Sequence, residues 1–330
     1  LEQINGAITV HSDKLVDISS QGVLSLLSGS YTSSENITVS AEGQHLTAGD
    51  EASSLLLVSD KKTTINGKDV TLKEGIFKTG EELEVKGDKI ALEGGTLKSD
   101  KKIIVTAGTQ GLTSGIEGYG STLQSGEEID LTSQGETTIT GGIYQSLGKV
   151  TFKAEGQTLN VGSTAGDKSL FEAGTTLDFI AQKITFLNAD LIGFTYVKAT
   201  AQGGGIDVQG KDFTASSQNL VHFTGHTLTI QAGDYKGINE KVWFEAGTGG
   251  LTLDETHGLL KVHSNTLIDL TSSGDLSLLR GSFTSARDIN ASAVGHTLTV
   301  GGNNSTPTLT ANNDLTLSAK EVALHNGTLT

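Results

Sequence analysis

The sequence predicts an all-β chain folded as a right-handed parallel β-helix, a solenoid of about 15 turns with roughly 20–27 residues in each. Three observations carry that reading. Short runs alternate apolar and polar residues with period two. A phrase of about 20 residues returns along the whole chain. Residues 1–78 match residues 253–330 at one offset without a gap.

Composition sets the frame. The 330 residues include Gly 43, Pro 1, Cys 0, Met 0, one tryptophan (Trp243) and two arginines (Arg280, Arg287). Alternating Thr, Ser, Val, Ile and Leu punctuated by Gly, Asn and Asp is the vocabulary of strands and turns. The regular aliphatic spacing argues against a disordered Gly/Ser/Thr chain. Absence of cysteine excludes disulfides, thiolate zinc sites and cysteine nucleophiles, and fits export to an oxidising compartment. A net charge of −15 repels nucleic acid and anionic membranes. The densest lysine stretches, Lys61–Lys62 and Lys98–Lys102, are interleaved with Asp and read as a solvated face. No apolar run is long enough to span a bilayer; the most apolar stretch is "SLLLV" at 54–58. The sequence starts at Leu1 and holds no signal peptide, so a targeting segment is expected outside it.

The repeat unit is clearest in "DVTLKEGIFKTGEELEVKG" (69–87) and "KIALEGGTLKSDKKIIVTAG" (89–108). Val70 matches Ile90, Leu72 Leu92, Gly75 Gly95, Phe77 Leu97, Leu83 Ile103 and Val85 Val105, always at the same step. Within the unit come, in order, a run around Phe77, a run with Leu83 and Val85, and a run with Ile90 and Leu92. Period two marks each as a strand with one buried face, and helical spacing does not fit. The shared core is Gly-x-apolar-x-Ser/Thr-x-x-x-apolar-x-apolar. It recurs at Gly29–Val39, Gly75–Val85, Gly95–Val105, Ser121–Leu131, Gly142–Phe152, Ser169–Phe179, Gly281–Ala291 and Pro307–Leu317, and "GTLT" at 327–330 opens another. Looser copies begin near residues 6, 54, 189, 211, 242 and 258. The longer steps carry "GQHLTAG" (43), "GLTSG" (111), "GQTLNVG" (156), "GHTLTIQAG" (225) and "GHTLTVGG" (295), read as a recurring surface bulge or extra strand segment.

One phrase is written twice: "VLSLLSGSYTSSENITVSAEGQHLTAG" at 23–49 and "DLSLLRGSFTSARDINASAVGHTLTVG" at 275–301. From Val10 to Gly49, 22 of 40 positions are identical to their counterparts at that offset. Residues 1–330 are therefore expected to form one continuous β-helix fragment, with 1–78 equivalent to 253–330 eleven turns later. The chain reads as a window cut from a longer array, with text like "GEELEVKGDKIALEGGTLK" expected beyond Thr330, or else end-to-end self-association. A lone turn of three short strands buries nothing, and its N–H and C=O groups need a neighbouring turn. Stacked at about 4.8 Å, fifteen turns would extend roughly 70 Å.

The phrases "NDLTLSAKEVALHNGTLT" (313–330) and "GHTLTVGG" with "LTANNDLTLSA" (295–319) resemble the repeats of filamentous-hemagglutinin-like exoproteins. The likeness is spread over the whole chain. It implies a β-helical stalk, exported by two-partner secretion through an outer-membrane transporter, on the surface of a Gram-negative bacterium. Such stalks belong to adhesins or to contact-dependent inhibition toxins. The expected function is therefore structural and adhesive, extending a region that meets a host or neighbouring-cell receptor or glycan. The rival is a carbohydrate-active β-helix enzyme or a phage tailspike.

No residue set meets an enzyme's needs: no two Asp are adjacent, the nearest Asp–Glu pairs are Asp50–Glu51 and Asp254–Glu255, and the two arginines fall where the other copy has Ser28 and Glu35. No catalytic, cofactor or metal residues are therefore assigned. His11 matches His263, and repeated histidines read as wall or corner residues. "GGGID" at 203–207 resembles a calcium-binding nonapeptide but occurs once. Trp243-Phe244 aligns with Leu170-Phe171, making Phe244 core and Trp243 either a carbohydrate platform or wall packing. Possible glycosylation sequons stand at Asn36, Asn290, Asn303, Asn304 and Asn326.

Overall fold

The computed structural model describes residues 8–51, 54–116, 120–163, 168–302 and 305–330. Among them there is no helix: parallel strands stack as a β-solenoid of about 14 turns, about 22 residues to the turn. The sequence count of about 15 corresponds to the 15 short strands that open the turns, the last of them only Thr328–Leu329. Contacts divide the chain into two compact units, Leu1–Gln157 with Ala165–Glu172, and Thr158–Thr164 with Ala173–Thr330.

In the first unit the turns share one plan, except that Leu15–Ser20 with Leu24–Leu26, and Glu128–Ser133 with Thr137–Ile139, divide the second and third walls between two strands. A short strand such as Ile76–Thr79 is followed by a long one such as Glu82–Glu93, whose two halves form the second and third walls. Alternation puts every second side chain inside. Parallel pairing then sets Tyr31 on Leu57, Leu57 on Phe77, Phe77 on Leu97, Leu97 on Leu123 and Leu123 on Tyr144. All six are at most 3 % exposed. Val39, Ile65, Val85, Val105, Leu131 and Phe152 form the second wall's ladder in the same way.

The Ser/Thr of the repeat motif closes the first corner. Ser99 is 2 % exposed; its hydroxyl donates to the Glu81 carbonyl at 2.7 Å and accepts from the Lys101 N–H at 3.1 Å. Ser33 repeats this with the Lys14 carbonyl and the Glu35 N–H, and Ser125 with the Lys101 carbonyl and the Glu127 N–H. The hydroxyl ties the two turns together: it takes an N–H of its own corner and adds a second donor to a carbonyl of the turn before, which also accepts a backbone N–H, as Glu81 does from Lys102 at 2.9 Å.

In the first unit the longer steps differ from the short ones at two places. Ala41 pairs with Gly67 and His45 with Asp69, so three residues stand against one; the same bulge separates Ala107 from Gly111. At the third corner Ala48 pairs with Leu72 and Leu56 with Ile76, so seven residues stand against three. "GQHLTAG" is thus not an extra strand: Leu46–Ala48 lies on Val70–Leu72, the ordinary third wall, and only Glu42–Gln44 bulge out. Gly49, which ends that wall, has φ +89, and a Cβ there would lie 1.9 Å from the Lys73 carbonyl oxygen. Its counterpart Gly301 has φ +77 and the same clash, with the Asn326 carbonyl at 1.8 Å.

The second unit repeats the plan with short strands Ala189–Gly193, Thr214–Ser217, Gly233–Gly237, Leu260–Ser264, Ser282–Ser285, Thr308–Ala311 and Thr328–Leu329. Part of it holds an aromatic core: Phe186 meets Phe179 at 5.2 Å and Phe213 at 5.3 Å, and Tyr235 meets Phe244 at 5.1 Å, edge to face. The short strand here is Gly233–Gly237, so the looser copy placed near 242 is corrected: Val242 opens the second wall. The cause is the wide Gly233–Leu260 step, where Gly237 stands in the place of the motif's Ser/Thr. The two related stretches share their pairing: Val10 lies on Tyr31 and Val262 on Phe283, Leu24 on Leu46 and Leu276 on Leu298.

Chemical denaturation of two variants checks these roles. Leu97→Ala should cost about 2–5 kcal/mol, because a rigid ladder cannot close the cavity. Ser99→Ala should cost about 1–3 kcal/mol by leaving the Lys101 N–H without its buried partner, the Glu81 carbonyl keeping the Lys102 N–H at 2.9 Å. Near-zero loss in Ser99→Ala would remove the hydroxyl from the corner's account.

Candidate functional surface

Inward ladders are sealed, with most side chains at 0–1 % exposure, so chemistry is confined to outward positions. In the first unit these carry an alternating charge column. Lys62 lies on Glu82, Glu82 on Lys102, Lys102 on Glu128 and Glu128 on Lys149. Lys62 reaches Glu82 and Glu84 at 2.7 Å each, and Lys102 reaches Glu128 at 3.1 Å. The corner beside it keeps the same signs, with Lys61–Glu35 at 3.4 Å and Lys101–Glu81 at 3.6 Å. Burial pushes the Glu84 carboxyl up, but hydrogen bonds from Lys62 and Lys86 outweigh it and hold the group below its ordinary value. Exposed pairs of this kind are worth about 0–1 kcal/mol each. Their effect is to place unlike charges where identical ones would repel. Lys61 and Lys62 are thus members of an ordered column and not merely a solvated face.

The second unit carries an outward aromatic cluster. Val242 and Phe244 point inward at 0 % exposure, so Trp243 between them points out. The rung runs Lys198, His222, Trp243, Asp269, Asn290. The His222 imidazole lies parallel on the indole, centroids 4.0 Å apart at 6°. Lys241 Nζ is 3.8 Å from the ring centroid. Two groups that close cannot share one face, so Lys241 takes the other, where it pairs with Asp269 at 2.9 Å. The indole N–H donates to Thr271 Oγ1 at 3.2 Å, and His222 Nε2 stands 3.2 Å from Glu245 Oε2.

Both indole faces are therefore occupied, and a sugar ring would find no open one. Trp243 is outer-wall packing, sandwiched between a histidine and a lysine. Its alignment with Leu170 fails, because Phe171 lies in the short strand Ser169–Ala173 whereas Phe244 stacks on Phe223 and Leu270 in the second wall. Phe244 is nevertheless core. His222 and Lys241 were invisible to sequence reading as partners of Trp243, since only the length of the turn joins His222 to the indole.

The remaining candidates are dispersed. Asn36 opens the strand Asn36–Ala48, and its Oδ1 accepts from the Lys62 N–H at 3.2 Å. Asn290 faces outward in the strand Asp288–Val300, half-buried. Asn326 is exposed, but its Nδ2, the atom a glycan would take, donates to the Gly302 carbonyl at 2.9 Å. Asn303 and Asn304 lie outside the described residues. Asp254 is held by Arg280, Nε to Oδ1 at 2.6 Å and Nη2 to Oδ2 at 3.3 Å, while Glu255 Oε1 accepts from the Leu260 N–H. Asp207 of "GGGID" accepts from Gln209, and among the described residues no three acidic or histidine groups gather to hold a metal ion. His11 bonds Thr32 and His263 bonds Asn265.

Neither a protein-family model, nor a characterised protein, nor a solved structure matches this chain.

Burial is the largest influence on His222 and lowers its pKa; the Glu245 carboxylate raises it, and Lys241 and Lys198 lower it further. The net direction is down from 6.5. Because the unfolded chain then binds the proton more readily, this group's contribution to stability is present above pH about 6.5 and is lost as pH falls through the lower folded value. Trp243, as the only tryptophan, reports the event. Its fluorescence should quench on acidification with a midpoint below that of free histidine, and His222→Asn should abolish the transition. A midpoint above 6.5 would contradict the dominance of burial.

Proposed function

We propose that the chain is a structural, adhesive stalk segment of a secreted, hemagglutinin-like exoprotein that holds a receptor-binding or toxic region away from the surface of a Gram-negative cell. The observation that supports this reading is the pairing of successive turns, in register, within both units. Such pairing resists bending and unravelling because each turn's backbone is tied to its neighbours by hydrogen bonds and its core by continuous ladders. The fold serves length and rigidity, and the likeness to hemagglutinin repeats supports the cellular setting. In this reading an outer-membrane transporter exports the chain, and the outward columns meet the surroundings.

Turn length supplies the test. Leu56 pairs with Ile76 and Ile76 with Thr96, the same step each time. Excising Ile76–Gly95 therefore joins Gly75 to Thr96 with every ladder still in register. In the full-length protein this variant should remain accessible to antibody on intact cells and keep its β-type circular dichroism, with a denaturant m-value lowered by about one turn's share of buried surface. Protein found only inside unbroken cells, wild type included, would overturn the surface role. Loss of all structure on excision would overturn the spacer role.

A further inference from the structure

The outer face of the first unit's short strands is unlike its equivalent in the related stretch 253–330. Leu56, Val58 and Ile76 point outward there, and Ile76 is 51 % exposed. Their counterparts in the related stretch 253–330 are Thr308, Thr310 and Thr328, on the same strands of the same plan. The fold therefore accepts threonine at all three places, and aliphatic side chains facing water are not required by folding. Beside them Lys78 lies in register on Lys98. Like charges directly opposite on neighbouring strands destabilise a sheet. Lys61, Lys62, Lys73, Lys101 and Lys102 each have a carboxylate within 3.6 Å, whereas Lys78 and Lys98 have none among the described residues. Lys78, too, has a threonine, Thr330, as its counterpart.

Further along the same face the chemistry is the complement. Ile143 is 38 % exposed. The Leu170 N–H bonds the Gly142 carbonyl, which sets Leu170 beside Ile143 and Glu172 beside Gln145, and Gln145 Nε2 donates to Glu172 Oε2 at 2.8 Å. Glu172 is exposed. Read along the stack, one outward column runs Ile76, Thr96, Thr122, Ile143, Leu170, and the other Lys78, Lys98, Gln124, Gln145, Glu172. Cationic and aliphatic at one end, the face is acidic and aliphatic at the other.

We propose that this face is a self-complementary interface through which two copies of the chain pair, sheet against sheet, with their stacks running in opposite directions. A two-fold axis along the strand direction at the Gln124 rung makes the contact isologous. It sets Lys78 opposite the partner's Glu172, Ile76 opposite the partner's Leu170, Lys98 opposite the partner's Gln145 and Thr96 opposite the partner's Ile143. By symmetry the lysine–glutamate contact is made twice. The occupant is a second copy because the required sequence of side chains is already present on the same face in reverse order. Five rungs at about 4.8 Å give a strip of about 20 Å, short for a permanent dimer, so the association is concentration-dependent.

Sedimentation velocity on the intact chain over about 1 µM to 1 mM at about 0.15 M salt reads the equilibrium. The wild type should shift from monomer to dimer as concentration rises. Lys78→Glu and Glu172→Lys should each lose the dimer, with unchanged circular dichroism. Their equimolar mixture should restore it, because the carboxylate introduced in one copy then faces the ammonium introduced in the other, and the native lysine–glutamate pair remains at the second contact. The double variant Lys78→Glu/Glu172→Lys should restore it alone. A general effect of net charge would move the two single variants in opposite directions, and that outcome overturns the interface. A wild type that stays monomeric throughout, or a mixture that does not recover, overturns it as well.

Discussion

Parallel in-register pairing between successive turns is the interaction on which the rest of this structure depends. It turns each sequence position into a column, since whatever a residue is, it sits about 4.8 Å from its own equivalents above and below. The backbone demands this pairing, because an unpaired strand edge leaves its N–H and C=O groups unsatisfied. Every other regularity is a response. Apolar positions become continuous ladders such as Leu57–Phe77–Leu97. Hydroxyls become a buried row at the first corner. Charges, which would otherwise stack on their own kind, alternate as in Lys62–Glu82–Lys102–Glu128.

The same constraint explains how much of the fold is legible in the sequence. Phe77 and Leu97, Val85 and Val105 can be paired by reading alone, because a constant step with alternating burial repeats the inside of the solenoid directly. The corner hydroxyl is visible as a motif letter, though its two hydrogen bonds are not. Reading fails where step length changes. Between Gly233 and Leu260 the chain adds residues and glycine replaces the motif's marker. The turn near 242 then falls on the wrong wall, and Trp243 aligns with the wrong neighbour.

The candidate surface is less legible than the fold, for a physical reason. Outward residues are not held to any one chemistry by the core, so their partners follow from register alone. His222 and Trp243 meet because of the exact length of the turn between them, and nothing in either local sequence announces the stack. Once the register is fixed, the contacts follow, including Lys241 reaching past the indole to Asp269 on the next turn. Burial of the imidazole and its stacking on the indole are thus consequences of the ladder as much as of the residues.

The bulge after Ala41 has a consequence for the history of such a chain. In the first unit short and long turns stack without disturbing a single ladder because the surplus is expelled at two places, the bulge and the third corner. These act as expansion joints. At the tip of the bulge a Cβ built on Gly43 meets nothing within 4 Å, and the same holds at Gly156 and Gly295. Length variation is therefore nearly free at these joints and nearly forbidden within a wall, where one added residue would turn a buried face outward. Lineages of this chain should diverge in length at the joints while their walls keep count, and foreign segments should be borne there as passengers on an unchanged frame.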